Sequence, residues 1–452
     1  MEHDLIAAIA TAPGQAGIAA VRISGEGALS VLEKIFIHSG EYETHKLYYG
    51  KVVSEGEAID YAMAAFMQAP HTYTGDDTAE IFCHGGYAVT QAVLQAALDA
   101  GCRMAQAGEF TKRAFLNGRL DLSQAEAVSD LIAANATLAA QTALTALSGR
   151  IKSKVSGMRE TLLDFLAKIE VCIDYPEDDV EQQTAETIAP ELRAMIAELD
   201  AMIATSRRGR IYKEGLLVAI AGRPNVGKSS LLNAIMGENR AIVTTTPGTT
   251  RDTLEADVEI NGLEVKLIDT AGIREGGGEI EKLGIERAGY AIDSADIILF
   301  VVDNAEGVTA EDLSIYEKVK NKPHITVVNK TDSGSFIDEK VIRENFGDSD
   351  YIFISALANT NIVELENKVF DFVGIHELGK KETVLSNVRH IEAIKAAKRH
   401  LTEASDALGE GLPIDMASID IKDAWHALGE VTGETVDEHI VERIFSKFCV
   451  GK

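Results

Sequence analysis

The stretch Gly222-Arg-Pro-Asn-Val-Gly-Lys-Ser-Ser230 decides the fold of this chain. It follows an apolar run, Gly215 to Ala221, and leads into a helix-like stretch, Leu231 to Met236. Such a loop directs backbone N–H groups and a helix N-terminus at an anion, Lys228 adds a positive charge at the β- and γ-phosphates, and the Ser229 hydroxyl can reach Mg²⁺. The pattern predicts a phosphate-binding loop, and the alternative is a chance glycine-rich turn.

Strand and helix patterns alternate from residue 215 to about residue 375, which predicts a parallel sheet covered by helices on both faces. The predicted strands are near-continuous apolar runs at Leu216–Ala221, Glu264–Ile268, Ile297–Val302, Ile325–Val328 and Tyr351–Ile354. Asp257 to Ile260, followed by Asn261-Gly262, predicts a hairpin that leads into the second of these strands.

Asn329-Lys-Thr-Asp332 follows one of these strands and is the residue set that reads guanine. A carboxylate such as Asp332 accepts two hydrogen bonds from the ring N–H and the exocyclic amine of guanine, whereas adenine would leave that charge unpaired. Ser355-Ala356-Leu357, after the last strand, is expected to close the base pocket. The sequence therefore favours GTP over ATP.

Two further segments complete the expected nucleotide site. Asp269-Thr-Ala-Gly272 ends a strand, where Asp269 can hold Mg²⁺ through water and the Gly272 N–H can sense the γ-phosphate. In Thr244-Thr-Thr-Pro-Gly-Thr-Thr-Arg-Asp252, Thr250 is expected to join the Mg²⁺ shell with GTP bound and to let go after hydrolysis, which makes the segment a switch. The predicted GTP-binding residues are Asn225, Val226, Gly227, Lys228, Ser229, Ser230, Thr244, Thr245, Thr246, Pro247, Gly248, Thr249, Thr250, Asp269, Thr270, Ala271, Gly272, Asn329, Lys330, Asp332, Ser355, Ala356 and Leu357.

The sequence lacks two groups that GTP hydrolysis usually uses, a water-orienting side chain and an arginine finger. Many small GTPases place Gln directly after Asp-x-x-Gly, and here that position is Ile273, which cannot orient water. Asn225 offers a side-chain oxygen beside the β- and γ-phosphates, and oxygens from Thr244 to Thr249 can join it around a monovalent cation that replaces the arginine charge. The alternative is that Asn225 only braces the loop.

The remainder of the chain predicts two more domains around this one, because 452 residues exceed what one core supports. Alternating short strands and two helix patterns make residues 1–118 an α+β domain. Helical spacing over residues 119–212 returns over residues 379–452, which predicts one helical domain in two pieces with residues 213–378 inserted between them.

The formal net charge of −28 makes the field of the molecule repel nucleic acid and anionic membranes. An RNA partner must therefore be met by a local basic patch or by a second protein, although each patch can equally be a solvated face. The candidate patches are Lys112, Arg113 and Arg119; Arg150, Lys152 and Lys154; and Arg207, Arg208, Arg210 and Lys213.

Cysteine usage and hydropathy predict a cytoplasmic protein. The four cysteines lie far apart without a Cys-x-x-Cys pair, which favours neither a metal site nor a disulfide framework. The N-terminus lacks the basic region of a signal peptide, and no apolar run approaches the ~20 residues that cross a membrane. No membrane association is expected.

The chain resembles the MnmE (TrmE) family of tRNA modification GTPases over essentially its whole length, and an inserted GTPase segment combined with the terminal Phe448-Cys-Val-Gly-Lys452 is highly specific. The resemblance also rests on Gly14 to Gly25, Tyr73-Thr-Gly75, His84-Gly-Gly86, Gly108-Glu-Phe110, Arg113 to Asn117, Asp121 to Glu126 and Asp174-Tyr-Pro-Glu177. The implied fold is multidomain, with an α+β N-terminal folate-binding domain, a discontinuous helical domain and an inserted Ras-like α/β P-loop GTPase domain.

The resemblance implies a potassium-activated GTPase that couples GTP hydrolysis to carboxymethylaminomethyl addition at carbon 5 of the wobble uridine of tRNA. It implies a homodimer that works with the flavin-dependent MnmG (GidA) in a hetero-oligomer. Its N-terminal domain would bind a tetrahydrofolate derivative, in the 5-formyl or 5,10-methylene form, as the one-carbon donor.

Residue roles follow from the resemblance by motif. Glu281 would position the attacking water that Ile273 cannot. Family members often have an aliphatic residue at the position of Thr246 and a residue other than Pro at Pro247, so the ligand at Thr246 would be its backbone carbonyl. The implied ligands are Arg22, Glu80, Arg119 and Lys452 for folate, Asn225, Thr244, Thr246 and Thr249 for K⁺, and Ser229 and Thr250 for Mg²⁺.

Two other functions stay open at this point. A ribosome-assembly GTPase is disfavoured by the folate-like N-terminal domain and by the lack of a small basic RNA-binding domain after the GTPase segment. A folate-dependent one-carbon transferase with a regulatory GTPase insert is the second. Cys449 is a candidate nucleophile by position, or is purely structural.

Overall fold

The computed structural model describes residues 4–174, 178–237, 255–269, 289, 291–334, 337–372, 374 and 383–451. These residues divide into two compact units. The first is built from Met1–Ser129, Ala146–Leu199 and Glu392–Lys452, and the second from Asp130–Thr145 and Asp200–Ile391. The predicted domain boundaries divide the chain differently and stay predictions.

A seven-stranded sheet organises the N-terminal part of the first unit. Its strands are β1 (Ile6–Ile9), β2 (Ala16–Ser24), β3 (Phe36–Ile37), β4 (Lys46–Ser54), β5 (Glu57–Met67), β6 (Thr78–Gly85) and β7 (Arg103–Met104). The order is β3-β4-β5-β6-β2-β1-β7, and β1 with β7 is the parallel pair among otherwise antiparallel neighbours.

Residue alternation along this sheet assigns its two faces. In β2, Ala19, Val21 and Ile23 are buried in a core that also holds helices α1 (Ala28–Ile35) and α2 (Tyr87–Asp99). Successive strand residues point to opposite faces, so Arg22 lies on the face away from this core.

The structure confirms the five strands that the sequence predicts in this part and both predicted helices, near residues 89–100 and 108–117. It also contains α1, β3 and β7, which the sequence analysis missed. Strands β3 and β7 have two residues each, and α1 has eight residues and no side-chain cap. None of the three therefore carries a strong sequence signal.

A run of helices follows the sheet along the chain. They are α3 (Glu109–Leu116), α4 (Leu122–Ala133), α5 (Thr137–Leu147), α6 (Arg150–Asp174), α7 (Asp178–Ala204) and α8 (Ser206–Glu214). The sequence predicts a helix from Ile188 to Thr205 after an acidic stretch that ends at Glu186. The predicted start is wrong, because α7 already begins at Asp178, within the acidic stretch. Acidic residues favour a helix N-terminus through the helix dipole. The sequence also predicts a basic link from Arg207 to Lys213, and this is wrong, because these residues lie within α8.

The second unit contains a six-stranded sheet. Its strands are β8 (Leu216–Ala221), β9 (Glu255–Ile260), β10 (Leu263–Asp269), β11 (Ile297–Asp303), β12 (His324–Asn329) and β13 (Tyr351–Phe353). The order is β13-β12-β11-β8-β10-β9, with β9 antiparallel to β10 and the other neighbours parallel. The helices along it are α9 (Lys228–Met236), α10 (Ala310–Val319), α11 (Glu339–Phe346) and α12 (Ile362–Phe372).

Strand β11 shows why this sheet was predictable. Every one of its residues is buried, with Leu299 and Val301 in one apolar cluster and Phe300 and Val302 in another on the opposite face. A strand covered on both faces needs a continuous apolar run. Because the parallel strands end at one edge, the loops after β8, β11 and β12 meet there.

Three helices, α13 (Val388–Gly409), α14 (Ile414–Thr432) and α15 (Glu438–Phe445), complete the chain. The buried Arg159 of α6 stacks on the Trp425 ring of α14 at 4.1 Å, donates from Nε to the Trp425 carbonyl at 3.2 Å, and pairs with Glu434. Chain pieces before and after the α/β segment therefore share one helical core, which confirms the predicted insertion. Within the described ranges, each helix is too short or too polar to cross a membrane.

Candidate functional site

The phosphate loop turns sharply out of β8 and enters α9. A Cβ at Gly222 (φ 154°) would lie 2.4 Å from the Val301 carbonyl oxygen, and one at Gly227 (φ 97°) would lie 2.3 Å from Asn329 Nδ2. Contacts this short exclude any side chain, so the loop packs tightly against the ends of β11 and β12. Asn225 adopts a left-handed φ of 65°, which Asn tolerates better than most residues.

The ammonium group of Lys228 is held inside this loop. Nζ donates to the carbonyl oxygens of Gly222 at 2.6 Å and Arg223 at 2.7 Å, and the side chain is buried. Two backbone acceptors thus place a positive charge within the curve of the loop. This placement suits the predicted phosphate-binding role of Lys228.

Asn329 joins three loops. Its Nδ2 donates to the Val226 carbonyl at 2.9 Å, its Oδ1 accepts from the Ala356 N–H at 3.0 Å, and its carbonyl accepts from the Asn304 N–H at 2.9 Å. The side chain is almost completely buried. The sequence predicts that Asn329 belongs to the guanine-recognition motif. Its side chain connects the phosphate loop to the base loop.

Lys330 makes a second link between the same loops. Its Nζ donates to the Asn225 carbonyl at 2.7 Å and pairs with Asp303 Oδ2 at 2.6 Å. Asp303 is buried and also accepts from the Ala305 N–H at 2.8 Å. Sequence reasoning missed Asp303, although a carboxylate that ends a wholly apolar parallel strand was an available signal.

The Asp332 carboxylate is exposed, and two hydroxyl groups orient it. Ser355 Oγ donates to Oδ1, and Ser333 Oγ donates to Oδ2 at 2.9 Å. The hydroxyl of Ser355, and then that of Ser333, holds the pKa of Asp332 below its ordinary value because both stabilise the charged form. Ser355 Oγ in turn accepts from the Ala358 N–H at 3.0 Å, and Leu357 is 86% exposed.

The first unit places Arg22 and Glu80 together. They are paired residues in the register of β2 and β6, and Arg22 Nε donates to Glu80 Oε1 at 2.7 Å. The guanidinium lies over the rings of Tyr73 and Phe110, each at 5.6 Å from the centroid. Arg22 and Glu80, two of the four predicted folate ligands, are therefore partly buried and paired with each other.

The C-terminal tail reaches the same region. Val450 forms a bridge with Ala107, and the Gly451 carbonyl accepts from Arg22 Nη1 at 3.5 Å. A Cβ at Gly451 would lie 2.2 Å from the Ile9 carbonyl oxygen, so the tail lies directly against β1. Lys452 follows Gly451 and lies outside the described residues.

Arg119 lies beside the loop that carries Tyr73. Its Nε donates to the carbonyl of Thr72, the preceding residue, at 3.2 Å. The loop that contributes the aromatic ring under Arg22 therefore also contacts Arg119.

Two family models match the chain. The model described as the GTP-binding protein TrmE N-terminus matches residues 5–119, and the MnmE helical domain model matches residues 122–449. The chain belongs to the MnmE family. Among curated relatives, a protein of Shouchella clausii named tRNA modification GTPase MnmE is 44% identical over 459 residues, which cover 100% of both chains. One of the same name from Clostridioides difficile is 44% identical over 455 residues, 99% of each chain.

Solved structures that are similar to part of this chain include GTP-binding proteins. The Era protein of Aquifex aeolicus bound to GDP and aluminium fluoride is 30% identical with a TM-score of 0.29, and the match covers 40% of this chain and 65% of that one. At a TM-score this low, the likeness adds nothing to the MnmE assignment.

Several predicted site residues of this MnmE-family chain lie outside the described residues. The backbone of Asp269 ends β10, but its side chain also lies outside the described part of the chain. For K⁺, only Asn225 is described, and for Mg²⁺, only Ser229; both are exposed on the phosphate loop. The predicted residues outside the description are Thr244, Thr245, Thr246, Pro247, Gly248, Thr249, Thr250, Thr270, Ala271, Gly272, Glu281 and Lys452.

Five of the ten residues in the candidate basic patches of this MnmE-family chain are paired with carboxylates of their own unit. Such pairs lower the local positive potential that would attract RNA. The ion pairs are Lys112 with Glu442 at 3.7 Å, Arg113 with Asp4 at 2.7 Å, Lys154 with Glu198 at 2.8 Å, Lys213 with Asp130 at 2.9 Å, and Arg210 with Asp296. Arg207 stacks on the Phe372 ring at 5.1 Å. These contacts favour the solvated-face alternative for most members of the patches.

The cysteines are free thiols. Cys83, Cys102 and Cys172 are buried, and burial raises the pKa of Cys102 to about 11, which makes it a poor nucleophile. Cys449 is exposed, and its carbonyl accepts from the Gly108 N–H at 3.3 Å. Its backbone therefore has a structural part in docking the tail.

Proposed function

We propose that this MnmE-family GTPase couples GTP hydrolysis to carboxymethylaminomethyl addition at carbon 5 of the wobble uridine of tRNA. The observation that carries the GTPase part is the assembly of phosphate loop and base loop at one sheet edge, with Asn329 bonded to both Val226 and Ala356. The full-length match to tRNA modification GTPases supports the tRNA part.

The residues at this edge fit GTP with Mg²⁺. The phosphate loop presents N–H groups and the helix N-terminus of α9 to the phosphates, while Lys228 adds a fixed positive charge. The exposed Ser229 hydroxyl is an oxygen donor of the kind that Mg²⁺ prefers, and Thr250 would be the second protein ligand. The ion supplies charge neutralisation at the phosphate oxygens when it is bound.

Hydrolysis would rely on a potassium ion and on Glu281. The Asn225 amide oxygen is a neutral oxygen donor on the exposed side of the loop, which fits a monovalent cation, and Thr244, Thr246 and Thr249 would complete the set. Glu281 would hold the attacking water, the role that Ile273 cannot take.

A cation exchange tests this mechanism. Replacing K⁺ by Na⁺ should lower GTP turnover strongly while GTP binding changes little, because the ion acts on the charge that develops in the transition state. The check is steady-state turnover in matched chloride salts, with Asn225→Ala as a variant expected to lose the difference. Equal rates in the two salts would exclude the potassium mechanism.

The N-terminal part would bind the tetrahydrofolate derivative through Arg22, Glu80, Arg119 and Lys452. Support comes from the tail that ends at Lys452, since Gly451 lies against β1 and contacts Arg22. Folate binding would require the Arg22–Glu80 pair to be shared with the ligand or exchanged for it. We further propose a cytoplasmic homodimer that acts with the flavoprotein MnmG in a hetero-oligomer. It would contact tRNA mainly through that partner, because half of its candidate basic residues are paired with carboxylates.

Mass spectrometry of tRNA nucleosides tests the function itself. A strain that lacks this chain should lose the C5-modified wobble uridines, and the wild-type gene should restore them. Unchanged wobble uridines would contradict the proposal, and an accumulation of ribosome-assembly intermediates in the same strain would support the ribosome-assembly alternative.

A further inference from the structure

We infer that Arg223 is a positioning residue for the phosphate loop, because its buried side chain fixes the carbonyl that holds the Lys228 ammonium. Arg223 occupies the first variable position after Gly222, where the sequence motif places no requirement. The inference rests on the proposed GTP-binding role of this loop.

Arg223 is 9% exposed, although it belongs to a loop. Its Nη1 lies 2.7 Å from Glu306 Oε2, and its Nε lies 3.3 Å from Asp312 Oδ2. Glu306 is largely exposed, whereas Asp312 is completely buried. The contact with Asp312 is thus the desolvated one, where an ion pair is least screened by solvent.

Asp312 is a rigid anchor. It lies in the first turn of α10, and its Oδ2 accepts from Thr309 N at 3.0 Å and from Thr309 Oγ1 at 2.8 Å. Thr309 Oγ1 accepts in return from the Asp312 N–H, which completes a capping box. The two hydrogen bonds from Thr309 fix Asp312 Oδ2 at the start of α10, and the Arg223 guanidinium pairs with this same oxygen.

The Arg223–Asp312 contact is an ion pair without a hydrogen bond. Arg223 Nε and Nη2 and Asp312 Oδ1 are buried and form no hydrogen bond with any residue in the described part of the chain. Buried charges with unmade hydrogen bonds are costly to separate from each other. Removing Arg223 alone would leave the Asp312 charge buried without a partner, so a test needs a variant in which both charges are removed.

The backbone of Arg223 connects this anchor to the phosphate site. Its carbonyl accepts from Lys228 Nζ at 2.7 Å. Two residues later, the Asn225 carbonyl is held by Lys330, which is paired with Asp303. The segment from Asp303 to Asp312 therefore holds the phosphate loop at two carbonyls, one through Lys330 and one through the side chain of Arg223.

Loss of the Arg223 anchor should weaken the binding of phosphates and leave the binding of the base unchanged. The base loop is bound through Asn329 and Ser355, which do not contact Arg223 through any bond that the described residues show. A general loss of folding would instead weaken both.

The experiment compares R223Q, R223K and the double variant R223Q/D312N with R210Q. Arg210 also pairs with a carboxylate, Asp296, in the same unit but away from the phosphate loop, which makes R210Q a matched control. Affinities for GTP, GDP and guanosine are measured by calorimetry or competition, together with kcat, KM and the melting temperature. The full-length protein is used throughout.

We expect R223Q to weaken GTP and GDP binding by about tenfold or more, with guanosine affinity changed by less than about twofold. KM should rise more than kcat falls, R223K should recover part of the loss, and R210Q should bind as wild type. The double variant should regain thermal stability, because it no longer buries the unpaired Asp312 charge. Its GDP affinity should stay low, because the phosphate loop still lacks the Arg223 side chain.

Two results would overturn the inference. One is GDP affinity in R223Q equal to that of the wild type. The other is an equal loss for guanosine and GDP that the double variant reverses together with the melting temperature. A wild-type protein that fails to bind GTP would instead contradict the proposed function.

Discussion

At the scale of single residues, Asp332 and Asn329 divide the work of the base loop. The two hydroxyl contacts that lower the pKa of Asp332 keep this exposed carboxylate ionised at any working pH, as acceptance of two N–H groups requires. Asn329 is buried and braces the loops instead. In the motif Asn329-Lys-Thr-Asp332, Asp332 is therefore exposed to the ligand, whereas Asn329 connects the phosphate loop to the base loop.

The Asp332→Asn substitution should weaken GTP binding, because the amide presents a donor where guanine also presents donors. Preference for GTP over ATP should fall accordingly, which competition binding measures. Asp338→Asn is the control, since Asp338 is an N-cap of α11 and Asn caps a helix equally well. Unchanged nucleotide selectivity in Asp332→Asn would remove this residue from base reading.

At the scale of elements, the β9–β10 hairpin is anchored to the N-terminal end of α5 within the second unit. The Leu138 N–H donates to the Gly262 carbonyl at 2.8 Å, and Thr137 Oγ1 donates to Glu259 Oε1 at 3.0 Å. Glu264 of β10 is buried, and this burial raises its pKa above the ordinary value. The start of α5 therefore belongs to the same folded unit as the α/β segment.

The raised pKa of Glu264 makes a pH-dependent prediction. A carboxyl group whose pKa is higher in the folded state destabilises that state as pH rises from its ordinary pKa through the raised one. Glu264→Gln should therefore melt at a higher temperature than wild type at pH 7, and the difference should vanish near the ordinary glutamate pKa of about 4.3.

Thermal unfolding at several pH values measures this difference. Glu317→Gln, which changes an exposed glutamate of α10, should show far less pH dependence because solvent screens it. A Glu264→Gln protein that is less stable than wild type at pH 7 would contradict the prediction that the buried charge of Glu264 destabilises the fold.

At the scale of the whole molecule, the core of the second unit extends beyond the predicted segment of residues 213–378. Ile211 and Tyr212 of α8 are almost completely buried in the cluster that contains β8 and β10. Thr205 Oγ1 accepts from the Leu385 N–H at 3.0 Å, which joins the two chain ends of this unit.

A fragment of residues 200–391 should therefore be more stable than a fragment of residues 213–378. Each fully buried large side chain contributes about 1.5–3 kcal/mol, and the shorter fragment loses both Ile211 and Tyr212. Urea unfolding of the two fragments, followed by circular dichroism, compares them. Equal midpoints would mean that α8 adds no stability to this core.

The sequence by itself determined the local patterns and the chemistry that is contiguous in the chain. Continuous apolar runs such as Ile297–Val302 identified strands buried on both faces, and the loop from Gly222 to Ser230 identified a phosphate site, because periodicity and backbone-permissive residues act over a few positions. The family followed from motifs spread over the whole length. Short elements such as α1 and β7 were missed, because their signals are weak.

Only the tertiary structure decided which distant residues hold the site together. Asp303 braces the phosphate loop through Lys330, and Asp312 braces it through Arg223. Both carboxylates lie about eighty residues or more after Arg223 in the sequence. The pairing of Arg22 with Glu80 likewise depends on the register of two strands. These contacts come from packing between parts of the chain that share no local pattern, and the burial that makes a charge effective exists only after the chain has folded.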